Sequence, residues 1–160
     1  MNELAEMMKN ADAFTPNATI QIRTGDVHVR KITGGVKIQI RGNSSLSVDE
    51  DIQTTEEIEV REGTLRASTV LTPASIVVMA YGTIRHTTVT SPVDVTGLML
   101  LGGTLDDVTL NTNARVSGGH LRNRVTINGT MMAPSELYCD GSESGVQLID
   151  GDGKLQFSDD

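Results

Sequence analysis

Apolar and polar residues alternate in short segments that recur along the chain at a nearly constant spacing. The clearest three read Ile-Gln-Ile-Arg at 20–23, Ile-Gln-Ile-Arg at 38–41 and Ile-Glu-Val-Arg at 58–61. They begin 18 and 20 residues apart, and a glycine follows each of them within two residues. Alternation predicts strands with one buried face, and a fixed period near twenty predicts strands stacked as the coils of a repeat protein.

Two further markers follow the same period. The phrase Gly-Thr followed by Leu or Ile recurs at 63–65, 82–84 and 103–105. Each of the four prolines follows a small residue, and proline belongs at corners because it cannot donate a hydrogen bond to a ladder. The three markers together predict an all-β fold, a single-stranded parallel β-helix (β-solenoid) of about seven coils over residues 16–160.

The prediction has a sharp consequence for the core. If the coils stack in register, Ile20, Ile38 and Ile58 lie above one another in a single interior row. The composition fits, because 38% of the residues are hydrophobic but only 2% are aromatic, and columns of Val, Ile and Leu fill a narrow interior. We expect the 16 glycines to supply turns that need a positive φ angle.

The first residues show a different period. Apolar residues recur every three or four positions up to Phe14, which predicts a short N-terminal α-helix over 1–15, separate from the solenoid domain. A cap over the first coil is the favoured interpretation, since solenoid ends otherwise expose unpaired strand edges. The alternative is a docking helix for a partner, in which the contacting residues are Leu4, Met7, Met8 and Phe14.

Charge is unevenly distributed. The net charge is −8 and the pI is near 4.8, which argues against a nucleic-acid partner. Residues 20–43 carry five basic residues against one acidic residue, and residues 49–62 carry seven acidic residues against one arginine. Stacking in register places Arg23, Arg41 and Arg61 in one outward row. Two explanations stay open for this row: acids on neighbouring coils neutralise it, or it meets an acidic stripe on another copy or a partner.

The sequence carries no pattern typical of an enzyme. The neighbouring carboxyls Asp106 and Asp107 are the best catalytic candidate, but neighbours on a strand point to opposite faces, so one of them faces inward unless the pair lies in a turn. Cys139 is the only cysteine, and we expect a packed thiol with no nucleophilic role. We therefore predict no enzyme activity and no cofactor.

Metal binding has weak candidates only. The three histidines, His28, His86 and His120, lie in separate coils without the close spacing of a metal site. Asp150 and Asp152 lie in an Asp-Gly-Asp-Gly segment that matches part of a calcium-binding loop, although Asp-Gly pairs are also common in tight turns. We favour a turn and keep Asp150 and Asp152 as a weak calcium candidate.

No segment approaches the ~18 consecutive apolar residues of a membrane helix, and the first residues lack a basic region followed by an apolar stretch. These features predict synthesis in the cytoplasm without a secretion signal peptide, and no membrane partner. A single cysteine also matches a reducing compartment.

Two segments resemble known solenoid families. The run from Val36 to Leu65 resembles the opening of adhesin-like domains of bacterial β-solenoid proteins, and the segment from Gly102 to Gly119 is similar to coils of autotransporter passenger domains. The chain differs from secreted adhesins in lacking an export signal, and from bactofilin polymers in lacking regular short repeats. The resemblance implies an assembly or surface-display role, and it assigns no residue a chemical task.

The sequence therefore favours a non-enzymatic structural protein that self-associates within a larger assembly. A virion decoration or appendage subunit is the favoured type, incorporated after synthesis in the cytoplasm. The expected partners are further copies of the chain, with a trimer as the expected oligomer, and other proteins of the assembly. The alternatives are a cytosolic bactofilin-like polymer-forming scaffold and a small carbohydrate- or ligand-binding β-helix.

Overall fold

The computed structural model describes residues 14–133, 136–140 and 148–157. Within these residues the chain forms sixteen β-strands and no helix, and all pairings between the strands are parallel. The strands are β1 (Phe14–Ile22), β2 (Asp26–Val29), β3 (Ile32–Ile40), β4 (Ser45–Thr54), β5 (Ile58–Val60), β6 (Thr64–Leu71), β7 (Ile76–Met79), β8 (Thr83–Thr90), β9 (Thr96–Leu101), β10 (Thr104–Asn111), β11 (Asn113–Val116), β12 (His120–Ile127), β13 (Thr130–Ala133), β14 (Tyr138–Asp140), β15 (Leu148–Asp150) and β16 (Lys154–Phe157).

The strands stack into three ladders, named here A, B and C. Ladder A contains β2, the first parts of β4, β6, β8, β10 and β12, and then β14. Ladder B contains the start of β3, the second parts of the same long strands, and β15. Ladder C contains β1, the end of β3, and then β5, β7, β9, β11, β13 and β16. The chain visits A, B and C in turn, which confirms the predicted parallel β-solenoid.

The number of coils and the N-terminal helix are not confirmed. Among the described residues ladder A has seven rungs, so the chain completes about six coils between its first and last rung, against the expected seven. The predicted helix over 1–15 lies mostly outside the described residues, as do Leu4, Met7 and Met8. Phe14, which the spacing assigned to that helix, lies in strand β1.

The interior row predicted from the sequence is present. Ile20 pairs with Ile38, Ile38 with Ile58 and Ile58 with Ile76 in successive rungs of ladder C, and all four are buried. The hydrophobic core consists of aliphatic side chains arranged in such columns. Each fully buried aliphatic side chain stabilises the fold by about 1.5–3 kcal/mol, so the stacked columns are the main source of stability.

Two consecutive residues with different roles form the corner between ladders C and A. The first turns the chain with a left-handed backbone, as in Glu62, whose φ is 58°. The second, Gly63, is buried, and a Cβ built on it lies 2.6 Å from Ile40 Cγ2 and 2.7 Å from the Ser44 carbonyl oxygen. The φ angle of Gly63 is not positive, so the expectation that a positive φ explains this glycine is wrong. Glycine is required at position 63 because a side chain would not fit against Ile40 and Ser44.

The corner between ladders B and C is held by buried threonine hydroxyls. Thr54 Oγ1 donates to the Val36 carbonyl oxygen at 2.6 Å, and the Ala74 amide donates to Thr72 Oγ1 at 3.0 Å. Pro73 lies at this corner, as predicted for proline, whereas Pro16 lies within strand β1. These hydroxyls satisfy backbone groups that the ladders leave unpaired where the chain changes direction.

Candidate functional site

The arginine row predicted from the sequence is present in the backbone register. Arg41 and Arg61 each donate a backbone hydrogen bond to the coil before them, at 2.9 and 2.8 Å, directly after the paired residues of ladder C. Arg23 Nη2 donates to Gln21 Oε1 at 2.8 Å, and Arg41 Nη2 donates to Glu59 Oε1 at 3.1 Å. The role of Arg23, Arg41 and Arg61 in contacting a partner stays a prediction.

A column of polar side chains lies beside this row. Gln21 Nε2 donates to Gln39 Oε1 at 2.7 Å, and Gln39 Nε2 donates to Glu59 Oε2 at 3.2 Å. Three successive coils are thus linked through side chains on the outer surface of ladder C. These hydrogen bonds fix the register of the first coils. They also leave few donors and acceptors of the Gln21 and Gln39 side-chain amides free for a ligand.

The basic and acidic segments lie on adjacent coils and pair with each other. Most of the cations in the segment 20–43 have an acid about twenty residues later, directly above them in the stack. Neighbouring coils therefore neutralise much of the basic segment, although Arg41 is the one member of the arginine row among these pairs. The pairs are Arg30–Glu50 at 3.4 Å, Lys31–Asp51 at 3.1 Å, Lys37–Glu57 at 3.1 Å and Arg41–Glu59 at 3.1 Å.

The two neighbouring carboxyls contact different partners on adjacent coils. Asp106 is buried under its neighbours and contacts Arg85 Nε at 3.0 Å and the Asn123 amide. Asp107 lies at the corner between ladders A and B with a φ of 56°, and its Oδ2 is 2.8 Å from His86 Nδ1. The left-handed corner interrupts the strand, so the alternation rule does not turn either carboxyl into the interior.

Each histidine of the chain contacts an aspartate one coil later. The nitrogen–oxygen distances are 2.7 Å for His28–Asp49, 2.8 Å for His86–Asp107 and 2.7 Å for His120–Asp140. Among the described residues no group of three or more His, Cys, Asp or Glu side chains is arranged to hold a metal ion. These three contacts link adjacent coils on the outer surface.

Asp140 is the most strongly connected of these acids. Burial raises the pKa of its carboxyl, but hydrogen bonds and positive charge from His120 and Arg122 outweigh that effect and hold the pKa below its usual value. His120 also stacks on the ring of Tyr138, with the ring centroids 5.2 Å apart. The last coil is therefore joined to the one before it by an ion pair and a ring contact.

Cys139 is exposed, so the expectation of a packed thiol is wrong. Its backbone position continues an interior column of ladder A, because Cys139 pairs with the buried Leu121. No further rung among the described residues covers it. The thiol is exposed because of its place in the last rung rather than because of its immediate sequence.

We expect Cys139 in the native protein to react with a thiol reagent such as DTNB at a rate within about threefold of that in the urea-unfolded chain, because an exposed thiol is limited by its thiolate fraction. The measurement is the release of thionitrobenzoate with time. The unfolded chain is the matched control, since the sequence contains no other thiol. A native rate a hundredfold slower would contradict the exposed position.

Of the weak calcium candidates, Asp150 is the last residue of β15 and Asp152 lies in the turn between β15 and β16. The Gly151 amide donates to Asp150 Oδ1 at 2.8 Å, and the Asp152 amide donates to Asn128 Oδ1 at 3.4 Å. Both aspartates are exposed. Asp-Gly segments are common in tight turns, and calcium binding by Asp150 and Asp152 stays a prediction.

The last rung forms an apolar surface that sequence reasoning missed. Its inward positions continue buried columns, yet they are exposed: 40% for Ile149, 38% for Leu155 and 62% for Phe157. We call Cys139, Ile149, Leu155 and Phe157 the open end. The sequence carries a signal for this rung, because residues 154–157 alternate polar and apolar side chains and form strand β16. Among the described residues no further rung covers these inward side chains.

The opposite end of the solenoid differs. Val27 and Val29 lie in the first rung of ladder A, and Ile20 and Ile22 lie in the first rung of ladder C. All four are at most 3% exposed. The two ends of the rod are therefore not equivalent, since apolar columns are covered at the first rung and exposed at the last.

Two concave regions lie on the sides of the solenoid. A shallow groove of about 640 Å³ follows the corner between ladders B and C, and its lining includes Thr54, Leu71 and Pro73. A smaller and more polar depression of about 350 Å³ lies on ladder A around Arg66. The repeated phrase at 63–66 and 82–85 could have revealed the second, because it stacks two arginines in one column.

Comparison of the chain with protein-family models, with curated proteins and with solved structures finds no match. Among the described residues no helix is long and apolar enough to cross a membrane.

Proposed function

We propose that this chain is a non-enzymatic structural protein that self-associates through its open end, as a subunit of a larger protein assembly. The single observation that carries the proposal is the exposure of interior columns at Cys139, Ile149, Leu155 and Phe157. A last rung presents both apolar side chains and a row of unpaired backbone groups, which is a template for pairing with another chain.

The difference between the two ends limits how the copies associate. A filament built by head-to-tail stacking needs two open ends, whereas only the last rung has exposed interior columns in the described part of the chain. Two copies that meet through their open ends form a closed pair with the same surface on both sides. This arrangement is our preferred one over the bactofilin-like scaffold. It also differs from the trimer expected from the sequence, in which rods pack side by side.

For the type of assembly, we keep the hypothesis drawn from the sequence, in which a virion decoration or appendage is favoured. A carbohydrate- or ligand-binding β-helix ranks second, because the groove along the corner between ladders B and C crosses successive coils. The groove residues include Leu71, Pro73 and Pro92 but no aromatic ring, and sugar rings bind most often against aromatic side chains. The groove therefore supports this alternative only weakly.

The test is the molar mass in solution of a variant that places charge on the open end. We expect size-exclusion chromatography with light scattering to give twice the 17.1 kDa chain mass for the native protein. The double variant Leu155→Lys, Phe157→Lys is expected to give the monomer mass, because two buried charges in a paired end cost several kcal/mol. Circular dichroism checks that the variant keeps its β-structure.

Val93→Lys is the matched control, since Val93 is an apolar residue that is 92% exposed but lies in a turn away from the open end. It is expected to keep the native mass. A native mass of one chain, or an oligomer that the double variant leaves intact, would contradict the proposal. A mass of three chains that survives the double variant would support side-by-side packing, and filaments in electron micrographs would support the scaffold.

A further inference from the structure

A polar depression of about 350 Å³ lies on the outer surface of ladder A. Successive coils place His28, Ser47 and Arg66 in one outward column, because His28 pairs with Ser47 and Ser47 pairs with Arg66. Rungs of a ladder are about 4.8 Å apart, so the three side chains line a site of molecular size. Its polar lining consists of His28, Ser47, Asp49, Arg66, Ser68 and His86, and we call it the Arg66 pocket.

The charge of Arg66 is not neutralised by the stack. Arg85 and Arg122, in the same column, contact Asp106 at 3.0 Å and Asp140 at 3.2 Å on the following coil. The residue that follows Arg66 in the column is Arg85 itself, so two guanidinium groups lie on adjacent rungs. Like charges placed opposite each other are unfavourable. Among the described residues Arg66 makes no hydrogen bond or ion pair.

The other polar groups of the pocket have hydrogen-bonding capacity left. His28 contacts Asp49 through Nε2, which leaves Nδ1, and His86 contacts Asp107 through Nδ1, which leaves Nε2. The Ser47 hydroxyl has no hydrogen-bond partner in the described part of the chain. Each imidazole carries two N–H donors when it is protonated.

Asp49 is the one carboxylate in the pocket lining. Its Oδ1 lies 2.7 Å from His28, and Ser68 donates to its backbone carbonyl oxygen at 2.7 Å. The negative charge of Asp49 is therefore directed to the imidazole of His28. The guanidinium of Arg66 is left as the unpaired charge of the pocket.

We propose that the Arg66 pocket binds a small oxyanion, that is, a phosphate or carboxylate group. The guanidinium fork of arginine matches the geometry of both groups and forms two parallel hydrogen bonds with them. The Ser47 hydroxyl supplies a further donor, and so do the remaining nitrogens of His28 and His86 when the imidazoles are protonated. A bound anion also relieves the repulsion between Arg66 and Arg85. This site is independent of the open end.

The test follows the imidazole resonances of the native protein by NMR while inorganic phosphate or acetate is added at constant ionic strength. We expect a saturable change in the signals of His28 and His86 and none in those of His120, which lies on a later coil outside the pocket. Saturation by phosphate alone identifies the ligand group as phosphate, and saturation by acetate as well extends it to carboxylates.

Two variants separate specific binding from a general effect of charge. Arg66→Gln is expected to weaken the binding at least about tenfold, as for the loss of a charged hydrogen bond. Arg115→Gln removes an exposed arginine from ladder C and is expected to leave the binding unchanged. Equal changes at all three histidines, no saturable change with either anion, or undiminished binding by Arg66→Gln would each overturn the proposal.

Discussion

Replacing Ile58 by alanine is expected to lower the free energy of unfolding by about 3–4 kcal/mol, within the range measured for buried isoleucines. Ile58 is fully buried and lies in its column between Ile38 and Ile76. The backbone ladders on either side hold the coils at a fixed spacing, so the cavity cannot collapse. Urea-induced unfolding followed by circular dichroism measures the change.

Val93→Ala is the control for this substitution. It also shortens an aliphatic side chain, but Val93 is 92% exposed, and surface changes of this kind stay within about 0.5 kcal/mol. A similar loss of stability in the two variants would mean that the Ile58 column does not form the core, and the parallel stack would then be wrong.

The sequence could predict the ladder register because residues one coil apart in the sequence are neighbours in adjacent rungs of a solenoid. A residue lies directly above the one about twenty positions earlier, so the repeated segments place Ile20 over Ile38 and Ile38 over Ile58. The same period contains the ion pairs, since Lys31 and Asp51 are 20 residues apart. The period alone does not show whether a basic side chain pairs with an acid on a neighbouring coil or with a partner, because that depends on side-chain positions.

The corners were harder to predict. The left-handed residues between ladders A and B are His86, Asp107 and Asn123, with φ values of 50°, 56° and 56°. These residue types are enriched at positive φ, but they are equally common in ordinary exposed positions. Because alternation stops at such a residue, the orientation of Asp106 and Asp107 could not be predicted from strand geometry.

The open end depends on the whole stack rather than on local sequence. Leu121 and Cys139 occupy the same interior column, yet Leu121 is buried and Cys139 is exposed. Nothing in the residues around Cys139 distinguishes the two positions, because burial comes from the rung above. The two proposed sites are distinct, since the open end lies at the last described rung and the Arg66 pocket lies within the stack.

Replacing Gly63 by alanine is expected to lower the free energy of unfolding by about 2–3 kcal/mol, as for overpacked interior sites. The added Cβ would lie 2.6 Å from Ile40 Cγ2 and 2.7 Å from the Ser44 carbonyl oxygen. That oxygen accepts the Thr64 amide at 2.9 Å, so it cannot move without disturbing the ladder. The strain therefore falls on the contact between adjacent coils, and urea-induced unfolding measures it.

Gly118→Asn is the matched control, because it changes a glycine at the corresponding corner where space is free. A Cβ on Gly118 meets no atom within 4 Å, and its φ of 76° is one that asparagine tolerates. The chain itself uses asparagine in this way at Asn43, whose φ is 54°. We expect a change within about 0.5 kcal/mol. If Gly118→Asn destabilised the protein as much as Gly63→Ala, backbone conformation rather than crowding between coils would be the reason for these glycines.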